Sequence, residues 1–304
     1  MKVSVIIPTF NRVNLLLETI QSFCKQTYTN WEAIVVDDGA VDKTAERVQD
    51  IEDKRIKYFK REKTFKKGPA SCRNFGLEKA TGDLILFFDD DDIAHPDLLS
   101  NVISAFKKEK LDFVRYERTV FYHEFDYNFD QENNATSHLI DISDLDKMVT
   151  NELPFNTCAV IWKRAAIGNE RFNESLFYSD EWEFFQRLLS KRLNGANLNR
   201  ILLYARKHIQ SSTGYFQKRN SKYFNSTRKA MVLSINNLSE KQLLNSKLER
   251  FFIEKAFQLK DKSILNSILA KGQFKRSTEL KYKLGFPFYS FLRPFFILKG
   301  KLLS

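Results

Sequence analysis

Two short β-branched runs, residues 2–7 and 33–36, bracket residues 13–23, where Leu16, Leu17, Ile20 and Phe23 recur at helical spacing. Strand, helix, strand is a βαβ pattern. It continues with a helix predicted at 42–50, a strand at 56–59, a helix at 69–79 and a strand at 84–88. The strands are almost continuously apolar and the helices amphipathic, which predicts an α/β fold: a mostly parallel sheet covered on both faces. Past Lys110 the alternation loosens. Residues 113–121 predict a long strand, 122–137 a polar, aromatic loop and 157–162 a further strand, so mixed or antiparallel strands are expected to join the sheet. From residue 215 the strand signal stops, and helices are predicted at 222–238, 240–259 and 262–269. The expected organisation is a domain over 1–215 followed by a basic, mainly helical region over 216–304, with no internal repeat.

Sheets of this kind bind ligands beyond the carboxyl ends of their strands. Three polar clusters fall at those ends: Pro8, Thr9, Phe10, Asn11 and Arg12 after the first strand, Asp37, Asp38 and Gly39 after the second, and Asp89, Asp90, Asp91 and Asp92 after the strand at 84–88. The topology predicts one rim for all three. Adjacent carboxylates about 4 Å apart repel by roughly 4 kcal/mol at an effective dielectric near 20, so water or a cation must offset the four aspartates. An acidic helix N-terminus is the structural alternative, with Asp97 its best candidate, because the segment carrying Leu98, Leu99, Val102, Ile103 and Phe106 follows directly. Four in a row exceed what a cap requires. A hard divalent cation, held by one or two carboxylates and completed by water and substrate phosphate, fits the pattern. There is no GxGxxG after the first strand and no GxxxxGK[ST] in the chain, which excludes the glycine-rich phosphate loops.

Composition sharpens this picture at two points. The 304 residues, 43% hydrophobic, suffice for one large domain with an appendage. Cys24, Cys72 and Cys158 have no CxxC spacing, so neither a zinc site nor a disulfide framework is read, and a reducing, cytoplasmic compartment is expected. The N-terminal apolar run is too short for a signal peptide, and no run reaches the roughly 18 apolar residues of a membrane span. Charge is uneven. Residues 216–304 hold 19 Lys plus Arg against 5 Asp plus Glu, a net +14, so residues 1–215 carry −3 of the total of +11. A basic region of this kind attracts polyanions, whether nucleic acid or an anionic membrane.

Four strings together carry a family resemblance: VSVIIPTFNR, AIVVDDGAVDKT, ASCRNFGLEKATGDLILFFDDDDIAHPDLL and YSDEWEFFQRLL, in that order over residues 1–215. The chain resembles the family 2 glycosyltransferases, inverting enzymes with a GT-A fold and nucleotide-sugar donors. The resemblance implies that residues 8–12 line the nucleotide base and ribose, that Asp38, with Asp37 beside it, accepts from the uracil N–H, and that Arg73 reaches the base or diphosphate. It also implies that Gly68 brings backbone close to the ligand. Asp89, Asp90 and Asp91 match the DXD motif, with Asp91 coordinating Mn²⁺ or Mg²⁺, Asp90 or Asp89 on the ribose side, Asp89 a second candidate metal ligand and Asp92 a structural acid. The stretch from Tyr178 to Glu183 matches the Glu-Asp motif that opens a helix on the acceptor side. Here the order is reversed, so the general base is Glu181 or Asp180, and an acidic pair that caps the helix or salt-bridges Arg187 is the competing reading. Tyr204, Ala205, Arg206, Lys207 and His208, with Ser211 and Ser212, resemble the closing motif, in which His208 is a candidate metal or diphosphate contact and the basic residues neutralise charge. His95 is assigned to the helix entry instead. The implied partners are a nucleotide-sugar and a glycan or lipid-linked acceptor in surface-polysaccharide synthesis, with no nucleic acid.

The tail, KLGFPFYSFLRPFFILKGKLLS, mixes aromatic and basic residues. Gly285, Pro287 and Pro294 argue against one long helix there. Two readings compete: attachment to the inner face of an anionic membrane through Phe286, Phe288, Phe291, Phe295 and Phe296, or packing of these rings against the protein. Rival readings of the whole chain are a nucleic-acid-binding protein, a nucleotidyltransferase and an inactive nucleotide-sugar-binding scaffold.

Overall fold

A computed structural model of the chain describes residues 1–129, 136–207 and 221–302. Two compact units emerge, Met1–Ser226 and Thr227–Ser304. The first begins with β1 (Val3–Thr9), α1 (Val13–Cys24), β2 (Trp31–Asp37), α2 (Thr44–Gln49), β3 (Ile56–Lys60), α3 (Pro69–Lys79) and β4 (Leu84–Phe87). These four strands pair in parallel in the order β3-β2-β1-β4. Every residue of β2 and β4 is buried, as a sheet covered on both faces requires. The α1 helix covers one face with Leu16, Ile20 and Phe23, and the Phe23 ring meets Phe88 edge-on at 4.9 Å.

On α3, Gly76 faces β1, where a Cβ would overlap the Ile6 side chain. Only a residue without a side chain lets helix and strand approach this closely. Arg73 lies one turn earlier on the same helix.

The remaining elements of this unit are β5 (Ile93–Ala94), α4 (Leu98–Lys108), β6 (Phe113–Tyr122), β7 (Ser137–Ile140), α5 (Leu145–Thr150), β8 (Val160–Lys163), α6 (Arg164–Ile167), α7 (Asp180–Leu189) and β9 (Gly195–Lys207). They extend the sheet to β3-β2-β1-β4-β8-β6-β9-β5, with β7 on β9. The expected mixed half is present: β8 is antiparallel to both β4 and β6, while β9 runs parallel to β6 and antiparallel to β5 and β7. The strand expected at 157–162 splits into a 3-10 turn at Thr157–Ala159 and then β8. Asp97 occupies the N-cap position of α4, yet its carboxylate accepts from Thr27 (3.1 Å) and Arg200 (3.3 Å) and caps no helical N–H. His95 does shape this entry, its Nδ1 accepting from the Asp97 N–H at 3.0 Å.

Below the sheet's amino end Glu32 is buried and accepts from Ser4 (2.6 Å), Lys2, Lys57 and the Thr81 N–H (each 2.8 Å). Burial pushes its pKa up, but these partners outweigh it and hold the carboxyl far below its usual range. A depressed folded pKa stabilises above the unfolded value near ~4.3, and that stabilisation is lost as pH falls below it. Glu32→Gln is expected to cost about 2–3 kcal/mol at pH 7. Urea titrations should show the gap from wild type closing below about pH 4.

The second unit is helical, with Ser246–Leu259, Lys262–Lys271 and Arg276–Leu302 after the helix Ser221–Glu240, inside which the division falls. Asn245 caps the first of these through the Leu248 N–H (2.9 Å), which is why that helix starts later than expected. Asp261 caps the next through the Ile264 N–H (2.8 Å). The expectation that glycine and proline break the tail is overturned: Arg276–Leu302 is one helix. An interior proline costs about 3 kcal/mol. Aromatic packing offsets it, because Phe286 and Tyr289 meet Phe257 at 5.1 and 5.0 Å and Tyr282 meets Phe274 at 6.1 Å. No helix among the described residues is long and apolar enough to cross a membrane.

Candidate active site

β1 lies between β2 and β4, so the three polar clusters emerge side by side, with Thr9 in register with Asp37. Hydrogen bonds stitch them together. The Asp38 N–H donates to the Thr9 carbonyl (2.9 Å), and the Thr9 hydroxyl donates to Asp90 Oδ2 (2.7 Å). Arg12 spans Asp91 (3.1 Å) and Asp90 (3.3 Å). Asn11 adopts a left-handed conformation (φ 53°) and accepts from the Val41 N–H at 2.8 Å, which turns the segment back over the rim. Phe10 is exposed, with the Lys67 ammonium 3.9 Å from its ring centre. Pro8 precedes it at the edge of the buried strand. Gly68 (φ 134°) holds the turn into α3, a backbone shape open to glycine, and Pro69 starts the helix.

The two aspartates after β2 differ. Asp37 turns inward and accepts from the Gly39 and Ala40 N–H groups (2.9 and 2.6 Å) and the Tyr58 hydroxyl (2.5 Å), closing the turn. Asp38 pairs with Arg61, whose other nitrogen donates to the Phe65 carbonyl. Asp38 therefore sits against the 61–68 loop that leads into Gly68.

At the opposite side of the rim, the buried Arg73 guanidinium donates to Asp89 (3.0 Å), Glu181 (3.2 Å) and Asp180 (3.3 Å). One cation ties the end of β4 to the start of α7. The ion pair with Arg187 considered from the sequence is not formed by these acids: Arg187 pairs with Glu183 at 2.6 Å and with Glu170. A second tie comes from the 3-10 turn. The Thr157 N–H donates to Glu181 Oε2 (3.3 Å), and the Cys158 sulfur accepts from the Asp89 N–H (3.2 Å). Tyr116 fixes this turn by donating to the Cys158 carbonyl at 2.6 Å. The Asp180 side chain is 10% exposed and that of Glu181 30%, so Glu181 is the more accessible of the two.

Electrostatics follow burial. Desolvation raises the carboxyls of Asp180 and Glu181, with Arg73 pulling both back down. It pushes Asp90 up to about 6 against the pull of Arg12 and Thr9. Asp92 is driven well above the carboxylate range by burial and by Asp89 and Asp91, although it accepts from the Arg206 N–H at 2.9 Å. Burial opposes the charge of Arg73, but Glu181, Asp89 and Asp180 overcome it and raise its pKa.

The donor set at this corner suits a hard cation. Asp89 offers a 40% exposed carboxylate and Asp91 a second one, shared with Arg12. Asp89, Asp92 and Cys158 each bring a ligand atom within 4.8 Å of the others. Burial raises the Cys158 thiol well above its usual value, so it stays protonated and is a poor ligand for Mg²⁺ or Mn²⁺. His208, Ser211 and Ser212 lie outside the described residues. Arg206 sits beneath the aspartates, donating to the Asp91 carbonyl (3.0 Å) and to Glu18 (2.5 Å), and braces the motif from behind. Thr157 and Cys158 carried no motif by which the sequence could single them out.

The family 2 glycosyl transferase model matches residues 4–170, more than half of the chain. The chain belongs to glycosyl transferase family 2. A Campylobacter jejuni relative, GalNAc(5)-diNAcBac-PP-undecaprenol beta-1,3-glucosyltransferase, is 32% identical over 194 residues, 63% of this chain and 60% of that protein. An uncharacterized glycosyltransferase of Rickettsia bellii is 44% identical over 93 residues, 30% of this chain, which spans only 13% of that protein's length. Among solved structures, S. aureus TarS 1–349 in complex with UDP-GlcNAc aligns with a TM-score of 0.66 at 21% identity, covering 88% of this chain and 79% of TarS. The fold is thus the GT-A arrangement that the sequence motifs imply, a mixed sheet flanked by helices with a helical C-terminal region.

Proposed function

We propose that this family 2 chain transfers a sugar from a uridine diphosphate donor to a hydroxyl of a lipid-linked glycan, inverting the anomeric carbon, with Mn²⁺ or Mg²⁺ bound at Asp91 and Asp89. The carrying observation is the Arg73 tie, which gathers the donor-side Asp89 and the acceptor-side Asp180 and Glu181 around one guanidinium. The donor class is supported by the sugar nucleotide bound to TarS, and the acceptor class by the name of the Campylobacter relative. The nucleotide lies against Phe10, Asn11, Arg12 and Asp38, with Pro8, Thr9 and Gly68 shaping the backbone around it. Asp37 acts through the turn it closes.

Glu181 is the general base. Its raised pKa makes it a better proton acceptor than an ordinary carboxylate, and its exposure lets an acceptor hydroxyl approach. Asp180 stays at the foot of the helix as its buried neighbour. When bound, the divalent cation neutralises the charge that gathers on the departing diphosphate. Arg73 keeps Asp89 and Glu181 in fixed relation, so the acceptor oxygen that attacks the anomeric carbon from one side and the diphosphate that leaves on the other are held by one rigid frame. The basic C-terminal unit supports peripheral attachment to an anionic membrane, where a lipid-linked acceptor resides.

A panel of nucleotide-sugars assayed for hydrolysis and thermal shift, with and without Mn²⁺, tests this directly. Turnover of a uridine diphosphate sugar that stops on chelation is expected. Asp91→Asn should raise the Mn²⁺ concentration for half-maximal rate by about 10–100-fold. Metal-independent turnover, or an unchanged Mn²⁺ requirement in the variant, would overturn the metal assignment.

A further inference from the structure

The C-terminal helix has an aromatic face and an apolar stripe with different surroundings. Tyr282, Phe286 and Tyr289 are turned inward onto Phe257 and Phe274. Leu280, Leu284 and Phe288 are 57%, 62% and 63% exposed. Successive steps of four advance about 40° around a helix, so these three form one narrow outer stripe. The sequence continues with apolar residues at 291, 295, 298 and 302, at alternating spacings of three and four. Exposed Arg276 and Lys283 lie on one side of the stripe and exposed Lys281 on the other. Lys299 and Lys301 repeat the 281 and 283 positions eighteen residues later in the sequence. Beside the stripe, Pro287 helps to line a cleft of about 180 Å³ with Phe257, Phe286, Tyr289 and Lys260.

We propose that the stripe Leu280, Leu284 and Phe288 is the surface that enters an anionic lipid interface, with the helix lying in the membrane plane and Arg276, Lys281 and Lys283 meeting headgroup phosphates. This rests on the membrane reading above and assigns it to one face of one helix. Charge complementarity selects the occupant. Residues 276–304 hold six Lys or Arg against one Glu, so a second copy seated on the stripe would bring like charges together along both flanks, whereas an anionic bilayer offers the opposite sign. The geometry also separates two rings that the sequence groups together: Phe288 faces out and Phe286 does not.

The test is cosedimentation of the full chain with phosphatidylglycerol-containing vesicles and with pure phosphatidylcholine vesicles. Wild type is expected to bind the anionic vesicles and to be released by salt. Leu284→Glu and Phe288→Glu should each weaken binding by about tenfold or more, Lys281→Gln and Lys283→Gln by about fivefold each, and the exposed Leu139→Glu not at all. Circular dichroism and nucleotide-sugar hydrolysis should be unchanged in every variant, because the substituted side chains face solvent. If wild type ignores anionic vesicles, the membrane reading itself falls. If wild type binds and both Glu variants bind equally well, the attachment stands but the stripe is not its surface. Loss of a dimer in sedimentation without vesicles, with vesicle binding intact, assigns the stripe to a second copy instead and overturns the proposal.

Discussion

Glu181→Gln is expected to lower kcat by about 10²–10⁴-fold while leaving the donor KM near its wild-type value. The substitution keeps the length and an oxygen for Arg73 or Thr157, so the frame survives while the proton acceptor is lost. Asp180→Asn should cost less turnover, because the Asp180 carboxylate is more deeply enclosed and cannot be approached as readily. Initial rates at saturating donor and acceptor settle the order. An inert Asp180→Asn enzyme beside an active Glu181→Gln enzyme would reverse the assignment. The pH profile is a second readout. A base must be ionised to work, so wild-type turnover should climb with pH through the raised pKa of Glu181, and that limb should vanish in the Gln variant.

Arg73→Ala is expected to destabilise the fold by about 3–5 kcal/mol at neutral pH, the usual cost of stripping the counter-charge from buried ions. Three carboxylates lose one partner at once. Without the guanidinium, burial and mutual repulsion push Asp180 and Glu181 further up. Acids with raised folded pKa values are tolerated while protonated and become costly as pH rises through those values. The deficit should therefore be largest at neutral and alkaline pH and shrink below about pH 4, which calorimetry across that range would show. Arg73→Lys should recover only part of the loss, since an ammonium lacks the planar fork that reaches all three oxygens. A fully stable Arg73→Ala protein would mean that the acids are held apart by other means.

The parallel half of the sheet was legible because its strands are almost continuously apolar and α1 repeats its apolar positions every three or four residues. The mixed half was harder for physical reasons. β9, GANLNRILLYARK, alternates charged, small and apolar residues because it meets β6 on one side and both β5 and β7 on the other. The two residues of β5 are too few to leave a pattern. The rim clusters could be found from their places after the strands, whereas the tie between Arg73 and the acids of α7 joins residues 107 and 108 positions apart and leaves no local trace. The Thr157 and Cys158 contacts depend on backbone and sulfur atoms, which residue type does not announce. In the tail, local propensity read two prolines and a glycine as breaks, and tertiary packing of Phe286 and Tyr289 prevailed.

Gly76 places a limit on how this molecule can drift. The α3 helix is seated against Ile6 with no room for a methyl group between them, and Arg73 is carried by the same rigid rod. Any change that enlarges position 76 must lift the rod and with it the guanidinium that gathers three acids, unless position 6 is trimmed in the same step. Two residues remote from substrate are thus bound into a joint history: they are free to vary as a pair and held fixed singly, by the spacing of a helix from a strand.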